Sequence, residues 1–150
     1  MEAHTVTWGE LRVAATLENL RKVSEFVRDI GQQLRLTKEV LFDIDLAVEE
    51  ASVNIVRHAY RPGLAGDLLL RVETTDDIVR ITVTDWGIPF DPESVTPFDI
   101  DAPVETRVKG GTGLQLIYSL MDDVVRKMAS VPGEPNILVL CKHVEDRRAP

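Results

Sequence analysis

The stretch Glu50-Ala51-Ser52-Val53-Asn54-Ile55-Val56-Arg57-His58-Ala59-Tyr60 decides the reading of this chain. It closes a helical pattern running from Lys38 to Tyr60. Thr37 precedes that pattern, and its hydroxyl can accept from a free N–H of the first turn. Arg61-Pro62-Gly63 ends it, because proline cannot continue a helix. With Glu50 at the origin and about 100° per residue, Val40, Ile44, Ala47, Val48, Ala51 and Ile55 share one face. That apolar face suits a sheet. Glu50, Asn54 and His58 stand four apart and climb from the edge of the face into it. Glu49 falls on the outer side. Phe42, Leu46 and Val53 form a second apolar stripe, which either the first helix or a second copy of the chain would cover.

Two readings of the Glu50–Asn54 pair follow. They can be a solvated pair one turn apart. Alternatively, Glu50 at the rim of a core stripe is partly desolvated, which raises its pKa toward that of a useful base. Asn54, one turn on, then offers an amide oxygen to Mg²⁺, a hard cation. The helix alone does not separate these readings. His58 reads as a semi-buried structural histidine before a catalytic one.

Downstream, Asp67 to Thr75 and Ile78 to Asp85 read as strands joined at Asp76-Asp77. Asp85 ends the second and is followed by Trp86-Gly87. Its carboxylate can accept from an exocyclic amine such as adenine N6, or simply belong to an Asp-x-Gly turn. Gly87 would allow close approach of a ligand or of the chain. From Trp86 to Lys109 the chain is irregular, with Pro89, Pro92, Pro97 and Pro103; a stretch this long inside a compact domain is either an element wrongly assigned as loop or a functional lid. Gly110-Gly111-Thr112-Gly113 leads into a helix containing Leu114, Ile117 and Leu120. Free N–H groups and the helix dipole favour an anion there, and Lys109 adds a positive charge; the other reading is a flexible hinge without a ligand. The pattern is neither Walker A nor a Rossmann fingerprint.

Upstream, Thr5–Trp8 and Leu11–Thr16 read as two strands with a weak turn at Gly9-Glu10. From Leu17, the positions Leu17, Leu20, Val23, Val27, Ile30 and Leu34 form a helix face that Thr16 can cap. Asp123–Ala129 and Asn136–His143 close the chain as strands. Ile137 to Cys141 reads as one buried run, with Cys141 as a small apolar residue in it. The order is two strands, two helices, two strands, lid, helix, two strands. It predicts an α+β two-layer sandwich: a mixed, mostly antiparallel sheet with about three helices on one face.

The bulk properties bound the function. The chain has 150 residues, which suits a single domain spanning 1–150. A net charge of −8 argues against duplex DNA or an anionic membrane as the main partner. One cysteine excludes an internal disulfide and a cysteine-rich zinc site. No apolar stretch is long enough to span a membrane, and no secretory signal pattern opens the chain, so the cytoplasm is expected.

Together, the three segments resemble the nucleotide site of the GHKL ATPase/kinase superfamily (the Bergerat ATP-binding fold). Glu50 to Tyr60 looks like its N box, Asp85-Trp86-Gly87-Ile88-Pro89 like its first glycine box, and Gly110-Gly111-Thr112-Gly113-Leu114 like its second. His58-Ala59-Tyr60 and the chain length are similar to the stand-alone anti-sigma-factor serine/threonine kinases. The resemblance implies ATP and Mg²⁺. Asn54 would hold the metal against the phosphates, and Glu50 would be the general base. Asp85 and Gly87 would bind adenine, and Lys109, Gly110, Gly111, Thr112, Gly113 and Leu114 the phosphates, under a lid from about Pro89 to Lys109. It also implies an anti-anti-sigma (STAS-like) substrate, a sigma factor as second partner, and a homodimer. Phosphoryl transfer mostly requires positioning and charge neutralisation, which agrees with these parts. Pro89 stands where many relatives have glycine. The alternative function is a nucleotide-dependent protein-binding regulator without phosphotransfer.

Overall fold

The computed structural model describes residues 4–61, 65–89 and 113–144. The strands are β1 (Thr5–Ala14), β2 (Asp67–Thr75), β3 (Ile78–Asp85), β4 (Asp123–Lys127) and β5 (Asn136–His143). The helices are α1 (Leu20–Gln33), α2 (Lys38–His58) and α3 (Gly113–Leu120). The strands form one sheet in the order β1-β2-β3-β5-β4.

Alternation builds the core. Leu68, Leu70 and Val72 on β2, Val79, Ile81 and Val83 on β3, and Leu140 on β5 point to one face and are buried. The three helices meet that face with Val23, Val27 and Ile30, with Ile44, Ala47, Val48, Ala51 and Ile55, and with Leu114 and Ile117. The two layers are therefore those predicted, α+β with helices on one face. Every strand pairing among the described residues is antiparallel, narrower than the mixed sheet expected. Short connections explain this for β2–β3 and β4–β5, since parallel neighbours need a long crossover.

The N-terminal hairpin is corrected. Residues 5–14 form one strand, and Gly9-Glu10 is not a turn. The register against β2 shifts between Thr7 and Gly9, so the irregularity is a bulge. Gly9 lies under α1, where an added Cβ would sit 3.3 Å from atoms of Ile30 and Phe26. The glycine serves helix packing rather than chain reversal. Trp8 is held there by its indole N–H, which donates to Thr74 Oγ1 at 2.9 Å.

The first helix also starts later than expected. Leu17–Asn19 is a 3-10 turn, and Leu17 is 65% exposed, outside the buried stripe. Thr16 makes no capping bond through its side chain. Asn19 Nδ2 donates to the Ala14 carbonyl instead, at 2.8 Å. Thr37 does cap α2, accepting from Val40 N–H at 3.2 Å.

Of the buried run expected in β5, Leu140 alone is fully buried, whereas Ile137, Leu138, Val139 and Cys141 are half-buried. Successive strand residues face opposite sides, and the helices cover one side only. Strand β4 ends at Lys127, two residues before the expected Ala129.

Candidate functional site

The site is assembled where the ends of β3 and β5 meet α2 and α3. Asp85, the last residue of β3, is 4% exposed. Its Oδ1 accepts from Gly87 N–H at 2.9 Å and from Asn136 Nδ2 at 3.0 Å. Burial pushes its carboxyl pKa above the ordinary value, and these two hydrogen bonds oppose the rise. Asp85 thus takes part in an Asx-type turn and also lines a cavity.

That cavity opens partly to solvent, and its empty space, the solvent-open part included, comes to about 470 Å³. Apolar side chains dominate its walls, among them Ile55, Val83, Leu114 and Met128, and the polar groups are Asn54, Asp85, Asn136 and the cationic Arg126. Mostly apolar walls with a buried carboxylate among them can take a purine ring that presents an amine.

Asn136 was not singled out from the sequence. It is 5% exposed and makes three bonds. Besides Asp85, its Nδ2 donates to the Gly87 carbonyl at 3.1 Å, and its Oδ1 accepts from Ala129 N–H at 2.9 Å. It locks the Asp85–Gly87 turn to the strand end across β3–β5 pairing, where Asp85 and Asn136 are register partners. The sequence offers one faint signal: a polar residue where an apolar strand begins.

Helix α2 brings Asn54 to the cavity wall. Glu50, one turn earlier, is half-buried, while Glu49 is exposed, as the helical angles predict. Burial, reinforced by the negative charge of Glu49, raises the Glu50 pKa; Arg57 opposes the shift. Glu50 does not line the cavity itself. His58 is half-buried, and burial together with Arg57 lowers its pKa, which favours the neutral ring. Among the described residues, no group of three His, Cys, Asp or Glu side chains is arranged to hold a metal. An amide oxygen such as Asn54's fits Mg²⁺, which usually takes one or two protein ligands plus phosphate oxygens and water.

The second glycine box is only partly visible. Lys109, Gly110, Gly111 and Thr112, and most of the expected lid, lie outside the described residues. Gly113 opens α3, and Leu114 is buried against the cavity. Gly87 has a reason the sequence left open. A Cβ there would sit 2.2 Å from the Ala59 carbonyl oxygen, so the close approach is by the chain.

Residues 13–142 match the family model described as a histidine kinase-like ATPase domain. The chain is 37% identical over 131 residues to the serine-protein kinase RsbW of Halalkalibacterium halodurans, covering 85% of this chain and 80% of the relative. It is 31% identical over 119 residues to the serine-protein kinase RsbW of Bacillus cereus, covering 77% and 74%. In fold it is similar to the RsbU and RsbW domains of Rv1364c from Mycobacterium tuberculosis, with a TM-score of 0.64 and 18% identity. That likeness covers 91% of this chain and 32% of the other. The histidine kinase domain of the Erythrobacter litoralis EL346 blue-light activated kinase matches with a TM-score of 0.52 at 16% identity, over 87% of this chain and 61% of that one. With the order of its boxes, the buried acid at the end of β3 and the model match over most of its length, the chain belongs to the histidine kinase-like ATPase domain family, the GHKL type.

Proposed function

We propose that this protein is an ATP-dependent serine/threonine kinase of the anti-sigma-factor kind. It would phosphorylate a STAS-like anti-anti-sigma protein and hold a sigma factor by partner switching. The observation that carries the reading is one cavity flanked by α2, with Asp85 buried beneath it, Asn54 on its wall and Glu50 one turn away. Similarity to proteins named serine-protein kinase RsbW supports the choice of serine/threonine transfer.

Each residue then has a task. Asp85 accepts the adenine N6 amine on its cavity side, while Gly87 and Asn136 hold its other oxygen. The apolar walls exclude water from the ring. Asn54 presents its amide oxygen toward the phosphates, and bound Mg²⁺ would neutralise charge there. Glu50, its pKa raised by burial, takes the proton of the acceptor hydroxyl. The hydroxyl oxygen bonds to the γ-phosphorus as the bond to the ADP oxygen breaks.

A homodimer belongs to the same proposal. Helix α1 packs on α2 through Ser24 and Arg28, which bind Asp45. That contact leaves Phe42 64% exposed, and Leu46 and Val53 half-buried.

The test is transfer of labelled γ-phosphate to a STAS-like protein from the same source. The Glu50→Gln variant should lose about 10²- to 10⁴-fold in transfer rate, the usual weight of general-base catalysis, with ATP affinity nearly unchanged. Equal rates for wild type and variant would remove Glu50 from the mechanism.

A further inference from the structure

Tyr60 follows the last turn of α2 and does not line the cavity. Its hydroxyl nevertheless uses both of its hydrogen-bonding capacities on the backbone beside Asp85. It donates to the Asp67 carbonyl at 2.6 Å and accepts from Trp86 N–H at 3.0 Å. The β2–β3 ladder ends at the pair Leu68 and Asp85, so Trp86 N–H lies just beyond its last register partner. The next residues are held by the same segment. Gly87 abuts the Ala59 carbonyl, and Ile88 N–H donates to it at 2.7 Å. Gly66 makes room for the Tyr60 ring: a Cβ there would stand 1.9 Å from it.

We propose that Tyr60 is a positioning residue for adenine recognition, fixing the backbone on which the Asp85 carboxylate turns. The proposal rests on the reading of Asp85 as the adenine acceptor. A carboxylate rotates easily about its last torsion. Its aim is set by the Gly87 N–H and by Asn136, and Gly87 N–H is only as fixed as residues 86–88. Tyr60 and Ala59 grip those residues from the α2 side, as Asn136 does from the β5 side. Burial raises the Tyr60 pKa, so the hydroxyl keeps its proton and remains a donor at neutral pH.

The experiment compares ATP with ITP, whose base has a carbonyl oxygen in place of the amine that Asp85 would bind. The wild type should prefer ATP. The Tyr60→Phe variant should lose about tenfold in ATP affinity, the weight of roughly one hydrogen bond, and little in ITP affinity. A merely structural tyrosine would weaken both ligands equally, and that result, or an unchanged ratio, overturns the proposal. A wild type without ATP preference would sink the adenine reading of Asp85 itself, and this proposal with it. Should Tyr60→Phe fail to fold, 3-fluorotyrosine can replace both tyrosines of the chain. The fluorine signal of Tyr60, told from that of the exposed Tyr118 by a Tyr118→Phe variant, should move with ATP and less with ITP. Equal movement would overturn the proposal.

Discussion

Asp85 is a charge in a place that disfavours charge. Its pKa is raised by burial, so the folded protein binds its proton more tightly than the unfolded chain does. The stability it contributes is present in acid and is lost as pH rises through the raised folded value. At neutral pH the ionised carboxylate is therefore a burden that function retains, as often happens at sites. Asp85→Asn keeps an acceptor for Gly87 and Asn136 but turns an N–H₂ toward the cavity. Melting curves from acid to neutral pH should show the variant at or above wild type near neutrality. Calorimetric titration should show adenine nucleotide affinity at least about tenfold weaker, because donor then faces donor. A variant that melts lower at neutral pH would mean that Asp85 is not under desolvation stress. The acid was legible in the sequence as a strand-end aspartate. Its partner Asn136 was not, because the two are 51 residues apart and meet only through β3–β5 register.

The helix α2 and the turn after β3 behave as one part. The helix ends at His58, two residues before the expected Tyr60; Ala59 caps it with a last helical bond to Ile55, and its carbonyl and the Tyr60 hydroxyl accept from Ile88 and Trp86. Gly87 is the point of closest contact. A methyl group there meets backbone atoms of Ala59 at 2.2 and 2.6 Å, which flexible side chains cannot relieve. Gly87→Ala should destabilise by about 1–3 kcal/mol, as overpacking does. The melting temperature should fall by roughly 2–4 °C for each kcal/mol. An unchanged melting temperature would show that the turn and helix separate freely. Periodicity revealed α2 and its polar ladder well, since 3.6-residue spacing over many turns leaves little ambiguity. It could not reveal why Gly9 is a glycine. Gly9 between two strand-like runs looks like a turn until Phe26 and Ile30 of α1 are laid over it.

The two layers and the β2–β3 and β4–β5 pairings follow from alternation and short connections, which the sequence displays openly; β1 beside β2 and β5 beside β3 are joined across long stretches of chain and are not legible in it. What it hides is which faces remain uncovered. Phe42 lies on the outer ridge of α2, and α1 does not cover it. If that ridge is where two copies meet, sedimentation should show a dimer that Phe42→Ser shifts to monomer; a dimer indifferent to the change would place the contact elsewhere. No helix among the described residues is long and apolar enough to cross a membrane. If the cavity binds ATP with Mg²⁺ held through Asn54, calorimetric titration will show it. Wild type and Asn54→Ala would each be titrated with ATP, with and without Mg²⁺. Binding that requires Mg²⁺ in the wild type, and that Asn54→Ala weakens, is the predicted result. A wild type that takes up no ATP in the presence of Mg²⁺ would contradict the account.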